Sequence, residues 1–597
     1  MPVVNIPVAE LTRLVGRNVP RDELRVALEQ LGNDVEGYAR VIRTRCGKCG
    51  NLAERLEHEE PETACPACGA AEPVAAGESD VVRIELLPVR PDLFDVAGLA
   101  RALRGFLGIG TGLPDWPVTD SGFRVEVAPG MESVRPHIVA AVVRGLELDD
   151  ERLRMVMKMQ ENLHWALGRD RRRASIGVYD LAKVKPGFRF RPVGPDELTF
   201  VPLFGVPGDP QAGLTPREIL ERHPKGRDYA YLLAGMKRYP LLEDSTGRVL
   251  SMPPIINSDE TRVTAGTRDL FIDVTGPDPR AIDRSLNVMV TALADIGGNI
   301  ESVLVAYPDG IEKRTPDLVP ARAVVRVDNV RRVVGVDLTA GAIAGCLERL
   351  RHGAEPAGEK VLVRVPAYRS DVMHEYDLVE DVAIGHGFER VEPRLVPAMT
   401  VGRPLAGEER AEKVRRVLTG LGFLEVMTLV LTNPREQFEL LRLEPPPPHP
   451  VIANPLNVDQ SMPRVHLLTG LLSTFRGNTA RELPQRIFEV GECYAHDPEA
   501  ETGVRVLHRV AAGVCGPKAG FADARALASA LARELAVEVA YSNGDHQAFI
   551  PERCACILGK GGGDLGVLGE VRPEVLLNFG LAQPVALLEF NLDLEEE

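Results

Sequence analysis

The chain has 597 residues and a mass of 65.0 kDa, which at ~150 residues per domain implies about four domains. Hydrophobic residues make up 44% and charged residues 26%, excluding bulk disorder. Lys plus Arg number 70 against 86 Asp plus Glu, a net charge of −16. That balance argues against coating nucleic acid by charge alone, which rests on neutralising phosphates, but leaves room for a local basic patch.

The first ten residues lack a basic stretch followed by an apolar one, so no signal peptide is expected. No apolar run approaches the ~18 residues of a membrane span. Nine cysteines, four of them clustered, suit a reducing compartment better than a disulfide scaffold. The expectation is a cytoplasmic protein with no membrane contact.

Residues 1 to about 42 read as a small α/β piece, with Leu24, Leu28 and Leu31 on one helical face and Gly32-Asn33 as its stop. Cys46-Gly-Lys-Cys49-Gly50 and Cys65-Pro-Ala-Cys68-Gly69 follow, and Val81–Leu87 resumes strand-like alternation as if the cysteines were an excursion from one sheet. Between 131 and 300, strand-like runs such as His137–Val143 alternate with helices. One is lined by Leu153, Val156, Met157, Leu163 and Leu167, another by Ile282, Leu286, Met289 and Leu293. Residues 315–395 read as a βαβ-like unit with a helix around Ala340–Leu350. A new domain opens near Leu405, with Val414, Val417, Leu418 and Leu421 at helical spacing. Pro445–Pro448 is a stiff surface loop, and Gly561–Gly563 a hairpin tip.

Three local patterns carry chemistry. Two CxxC pairs, each followed by Gly, offer four thiolates from two tight turns. Cys46, Cys49, Cys65 and Cys68 therefore read as a structural Zn²⁺ site with no open position for water; free thiols or a redox pair are the alternatives. Asp371 precedes a helix on which Asp377, Glu380 and Asp381 share a face. Such carboxylates suit Mg²⁺, or simply complement a helix N-terminus. Arg169-Asp-Arg-Arg-Arg173 is the strongest basic cluster, either a phosphate contact or a solvated helix end. There is no Walker-type, HExxH or GxSxG motif.

Several stretches resemble the beta subunit of phenylalanyl-tRNA synthetase of the archaeal and eukaryotic-cytosolic type. They include Ser79–Val82 through Arg90-Pro-Asp-Leu93, Arg135–Val143, Ser175–Asp180, Tyr239–Leu242, Leu250–Asn257, Phe271–Gly276, Arg369–Asp381, Ile452–Pro455, Leu471–Asn478 and Leu565–Leu581. The order is the family's over nearly the whole chain; residues 43–77 stand outside it as a zinc-ribbon-like insertion, and Val89 occupies a position where the family often has Asn.

The resemblance implies an α/β and α+β multidomain fold of mixed antiparallel sheets with helices, ending in a degenerate class II synthetase-like domain. The implied domains are 1–110 (N-terminal), 43–77 (inserted ribbon), 120–310 (editing and tRNA binding), 315–395 (helix-turn-helix-like, with magnesium) and 400–597 (inactive class II). It implies an alpha subunit partner in an alpha2-beta2 heterotetramer, with ATP used by the complex to charge tRNA(Phe). In this chain Val585–Asn591 lacks an arginine to clamp ATP. It also implies hydrolysis of mischarged Tyr-tRNA(Phe) at a pocket of Leu242, Ser251, Asn257, Asp273 and Thr275, and Mg²⁺ at Asp371, Asp377, Glu380 and Asp381. Two readings compete: a non-editing paralogue that binds tRNA or protein, and a zinc-ribbon scaffold gripping RNA. The acidic, aromatic-free segment Asn51–Ala64 speaks against the latter.

Overall fold

Val3–Pro7, Asp34–Arg45, Leu52–Leu56 and Val74–Glu85 form an antiparallel sheet in the computed structural model. The structure describes residues 3–594 other than 49, 67, 68, 72, 86, 207, 208, 210, 397 and 399. The chain divides into two units, Met1–Leu395 and Val396–Glu597.

In the first unit, Asp34–Arg45 and Val74–Glu85 pair along their whole length, from Asp34↔Glu85 to Arg45↔Val74. The cysteine turns lie beyond the far end of these arms, so the segment is an excursion from one sheet, as the alternation implied. Leu24, Leu28 and Leu31 are buried, and the helix Arg21–Gln30 stops at Gly32, whose φ is +87°.

Next comes a sheet of ten strands among the described residues. His137–Arg144, Leu270–Gly276 and Ser175–Asp180 lie side by side in it, with Asp273 opposite both Ala140 and Gly177. Their near-continuous apolar runs mean burial on both faces. One face, with Val139, Ala141, Val178 and Ile272, packs on the helices Asp150–Trp165 and Pro279–Asp295. The other carries Ala140, Val142, Tyr179 and Phe271, which pack against Phe188, Phe190, Leu242 and Leu250 from other strands of the same sheet. The sheet therefore curls around its own inner core. The helix expected through Leu167 ends at Trp165, because residues 169–171 take left-handed backbone angles.

In the 315–395 region the βαβ-like unit takes a split form, with its helix at Ala340–Arg349. Ala321–Arg326 and Gly353–Pro356 both pair antiparallel with Lys360–Val365, which lies between them. The two outer strands are parallel to each other across the helices Val327–Val334 and Ala340–Arg349, so the unit is a split βαβ. The helix Glu375–His386 packs on the same core through Leu378, Val379 and Val382.

The second unit is built on a seven-stranded sheet. Leu468–Gly477 and Pro573–Asn578 cover one face; Ala406–Gly420 and Phe521–Glu534 cover the other. Pro445–Pro448 is exposed, and Gly561–Gly563 turns the hairpin between Phe549–Gly559 and Asp564–Val571. His466 is 9% exposed, neither ring nitrogen has a hydrogen-bond partner among the described residues, and burial pushes its pKa down to about 4. Below pH 6.5 the unfolded chain takes up a proton that the folded unit refuses. Stability is therefore lost between pH 6.5 and about 4, at about 1.4 kcal/mol per pH unit. The protection factors of the Val504–Cys515 amides check this: with the intrinsic exchange rate at each pH divided out, they fall toward pH 5, and less so in His466→Leu.

Candidate functional site

The inner face of the curled sheet holds an isolated polar group. Asp273 is 1% exposed and Ser251 2% exposed, and the Tyr179 hydroxyl joins them. It donates to Asp273 Oδ1 at 2.6 Å and lies 2.8 Å from Ser251 Oγ. A phenol has one proton, so its second bond is accepted from the serine hydroxyl. Asp273 Oδ2 has no hydrogen-bond partner among the described residues. Burial raises the Asp273 pKa to about 7 despite the Tyr179 bond and the nearby Arg135, both of which lower it. Burial likewise lowers the pKa of Arg135 to about 9.

Register explains the assembly. Gly177 faces Asp273 across the ladder, and a Cβ there would stand 2.0 Å from the Tyr179 oxygen and 2.3 Å from Asp273 Oδ1. Gly177→Ala is therefore expected to destabilise the unit by about 1–3 kcal/mol, read as a lowered melting temperature. Leu242 and Asn257 both pair with Ser251, from opposite sides. Thr275 sits two residues beyond Asp273 on the same face; its Oγ1 accepts from Arg135 Nε at 2.8 Å and its carbonyl from Arg135 Nη2 at 2.6 Å. Asn257 is half-buried, with Nδ2 3.4 Å from the Val178 carbonyl. The structure joins two of the five expected residues, Ser251 and Asp273, through Tyr179, sets Leu242 and Asn257 in register with Ser251, and leaves Thr275 engaged by Arg135. It adds Tyr179, Gly177 and Arg135, each within a stretch quoted above but with no local pattern marking it.

The acidic set lies elsewhere in the first unit. Asp371, Asp377, Glu380 and Asp381 line a recess of about 180 Å³ together with Arg90 and Arg369. Arg369 donates to Asp371 Oδ2 and Asp381 Oδ2, both at 2.7 Å, and His352 Nε2 is 2.6 Å from Asp381 Oδ2. Burial alone would raise the Asp381 pKa; Arg369 and His352 outweigh it and hold the group ionised well below the usual carboxylate range. Asp377 Oδ2 accepts from the Met373 and His374 amides at the helix start. Glu380 is exposed. No three acidic, histidine or cysteine side chains converge as a cation cage among the described residues. As arranged, a guanidinium stands where two of the four carboxylates would meet an ion.

Of the cysteine quartet, Cys49 and Cys68 lie outside the described residues. Cys46 and Cys65 are buried and open equivalent turns. The Gly50 amide donates to the Cys46 carbonyl at 2.9 Å and the Gly69 amide to the Cys65 carbonyl at 2.8 Å, with φ of +72° and +70° at the two glycines.

Comparison with known proteins places these sites in context. Residues 393–592 match the family model "Phenylalanyl tRNA synthetase beta chain CLM domain", and residues 323–388 match "tRNA synthetase B5 domain". The phenylalanine–tRNA ligase beta subunit of Methanothrix thermoacetophila is 42% identical over 518 residues, covering 87% of this chain and 93% of the relative. That of Archaeoglobus fulgidus is 40% identical over 594 residues, covering 99% and 98%. The chain belongs to the phenylalanine–tRNA ligase beta subunit family. It is thus of an aminoacyl-tRNA synthetase subunit family, as the resemblance implied. A crystal structure of an N-terminal fragment of the Pyrococcus horikoshii phenylalanyl-tRNA synthetase beta subunit superposes with a TM-score of 0.55 at 35% identity, covering 64% of this chain and 99% of the fragment. No helix among the described residues is long and apolar enough to cross a membrane.

Proposed function

We propose that this chain pairs with a phenylalanine–tRNA ligase alpha subunit, which carries out ATP-dependent charging of tRNA(Phe) in an alpha2-beta2 heterotetramer in the cytoplasm. In this reading the chain itself removes tyrosine from mischarged tRNA(Phe). The observation that carries the editing role is the Tyr179–Asp273–Ser251 cluster, an arrangement that already binds one phenol hydroxyl and leaves Asp273 Oδ2 open.

A synthetic pocket for phenylalanine rejects an added hydroxyl only weakly, whereas a site with a buried hydrogen-bonding group strongly rejects a ligand that lacks the hydroxyl. Asp273 therefore selects the tyrosyl ester and spares the correct phenylalanyl one. The substrate phenol donates to Asp273 Oδ2, Ser251 and Leu242 bound the ring, and Arg135 fixes Thr275 beside it. Asn257 orients the water. Water adds to the ester carbonyl carbon, the bond to the terminal ribose oxygen breaks, and that oxygen recovers a proton while tyrosine leaves.

Support for a silent second unit comes from arginines already engaged by carboxylates. Arg464 is paired with Glu489, and Arg509 with Glu589, so neither cation is free for a nucleotide phosphate. The unit also exposes large apolar side chains on two segments, Met427 (96%) and Leu429 on one and Leu456 (97%) and Val458 on the other. Exposure on this scale is a mark of an interface, and the alpha subunit is its occupant in this reading.

Two metals belong to the proposal. Zn²⁺ at Cys46, Cys49, Cys65 and Cys68 staples the ends of the long arms; the twin glycine turns support it. About one zinc per chain is expected by metal analysis, with Cys65→Ala losing it and loosening exchange protection at Arg45 and Val74. For Mg²⁺, Asp377 and Glu380 offer oxygens as they stand, whereas Asp371 and Asp381 must first be released by Arg369; no step of the reaction is routed through the ion.

The deciding experiment mixes the chain with a purified alpha subunit of the family and measures phenylalanine charging and release of tyrosine from preformed Tyr-tRNA(Phe). Charging only in the mixture establishes the subunit role, and tyrosine release the editing role. Charging without tyrosine release favours a beta chain that does not edit.

A further inference from the structure

The run Arg169–Arg173 has no part in the reaction just described, yet the fold places it against the site. Arg135 Nη2, which holds Thr275, also lies 3.4 Å from the Arg171 carbonyl. The buried Arg171 guanidinium donates to the carbonyls of Pro254 and Ile255, in the turn between Ser251 and Asn257. It also pairs with Glu161 and stacks 4.3 Å over the Tyr229 ring. Arg169, Asp170 and Arg171 have φ of +49°, +53° and +65°, three successive non-glycine residues in sparsely populated backbone, a feature that clusters at ligand-holding segments. The turn is pinned by backbone bonds from Arg171 to His164 and from Arg173 to Gly168.

This geometry turns the remaining side chains outward. Arg173 is taken by Asp278. Arg169 and Arg172 are exposed with no carboxylate partner among the described residues. Arg172 lies over Tyr231 at 5.4 Å, and that ring is 48% exposed. Lys225 is exposed beside Tyr229. Cations interleaved with aromatic rings suit an unpaired nucleic acid strand, whose phosphates and bases they take in turn, rather than a duplex. We propose that the rim formed by Arg169, Arg172, Lys225 and Tyr231 holds the single-stranded 3′ end of tRNA as its aminoacyl group enters the Asp273 site. The inference rests on the editing reading above.

The test uses the alpha–beta complex and two probes: a short labelled single-stranded RNA ending in CCA, and Tyr-tRNA(Phe). Arg169→Ala and Arg172→Ala each reduce the salt dependence of RNA binding, by roughly 0.7 in the log–log slope per lost phosphate contact. Tyr231→Ala weakens binding roughly 5- to 150-fold. The same variants raise KM for tyrosine release and leave kcat within about twofold. Arg172→Lys keeps the charge and the salt slope while losing the planar stack, so it separates charge from stacking. Unchanged KM and RNA affinity in the three alanine variants overturns the proposal, and so does an equal loss of binding for a blunt duplex. If the wild-type complex releases no tyrosine, the editing reading falls, and the RNA-binding arm still decides whether the rim holds a single strand.

Discussion

Asp273→Asn is expected to slow release of tyrosine from tRNA(Phe) by roughly 10- to 150-fold, because a hydrogen bond to a charged acceptor contributes about 1.5–3 kcal/mol. The wild-type rate should climb as pH passes about 7, where Asp273 ionises and becomes a pure acceptor for the substrate phenol. The variant's rate should stay flat across that range. Stability moves the other way. The folded chain keeps the Asp273 proton to about pH 7, whereas the unfolded carboxyl loses it near 3.8. Burial of this group therefore costs stability increasingly as pH rises from 3.8 to 7, on the order of 4 kcal/mol above that. Asn carries no such penalty, so the variant should melt higher at pH 8 while editing worse. A variant that keeps the wild-type pH profile of tyrosine release removes Asp273 from the recognition of tyrosine, and one that melts lower at pH 8 removes the burial penalty.

Met427→Glu with Leu456→Glu should abolish phenylalanine charging at working concentrations while leaving the isolated chain's melting temperature unchanged. Both side chains are almost fully in solvent in the free chain, so folding loses nothing. Buried in an interface, a carboxylate on each would be desolvated without a partner, and hot-spot losses of at least about 2 kcal/mol each weaken association by roughly 30-fold per site. Sedimentation of the mixture with the alpha subunit reads this directly. Undiminished assembly would place the interface on another surface of the chain.

Much of the architecture is legible from local pattern. Ile282, Leu286, Met289 and Leu293 sit on a buried helix because a 3.6-residue period needs only the sequence itself. The same holds for the strand His137–Arg144 and for the hairpin at Gly561–Gly563. The five pocket residues came from a resemblance to the family, since Leu242, Ser251, Asn257, Asp273 and Thr275 have no shared spacing.

What the sequence by itself determined is therefore the set of elements, the glycine-bounded cysteine turns and the acidic helix start at Asp377. Only the tertiary structure decided what those groups meet. The pairing of Tyr179 with Asp273 depends on the register that sets Gly177 opposite the carboxylate. The engagement of Asp371 and Asp381 by Arg369 depends on which charge reaches them first in a closed recess. The split βαβ order depends on Lys360–Val365 entering between two parallel strands. The first and third join residues distant in the chain, and no local period encodes which strand will lie beside which; the second joins neighbours in sequence that spacing alone does not bring together. Burial then converts those placements into chemistry, because the Asp273 pKa is raised by its surroundings rather than by its neighbours in sequence.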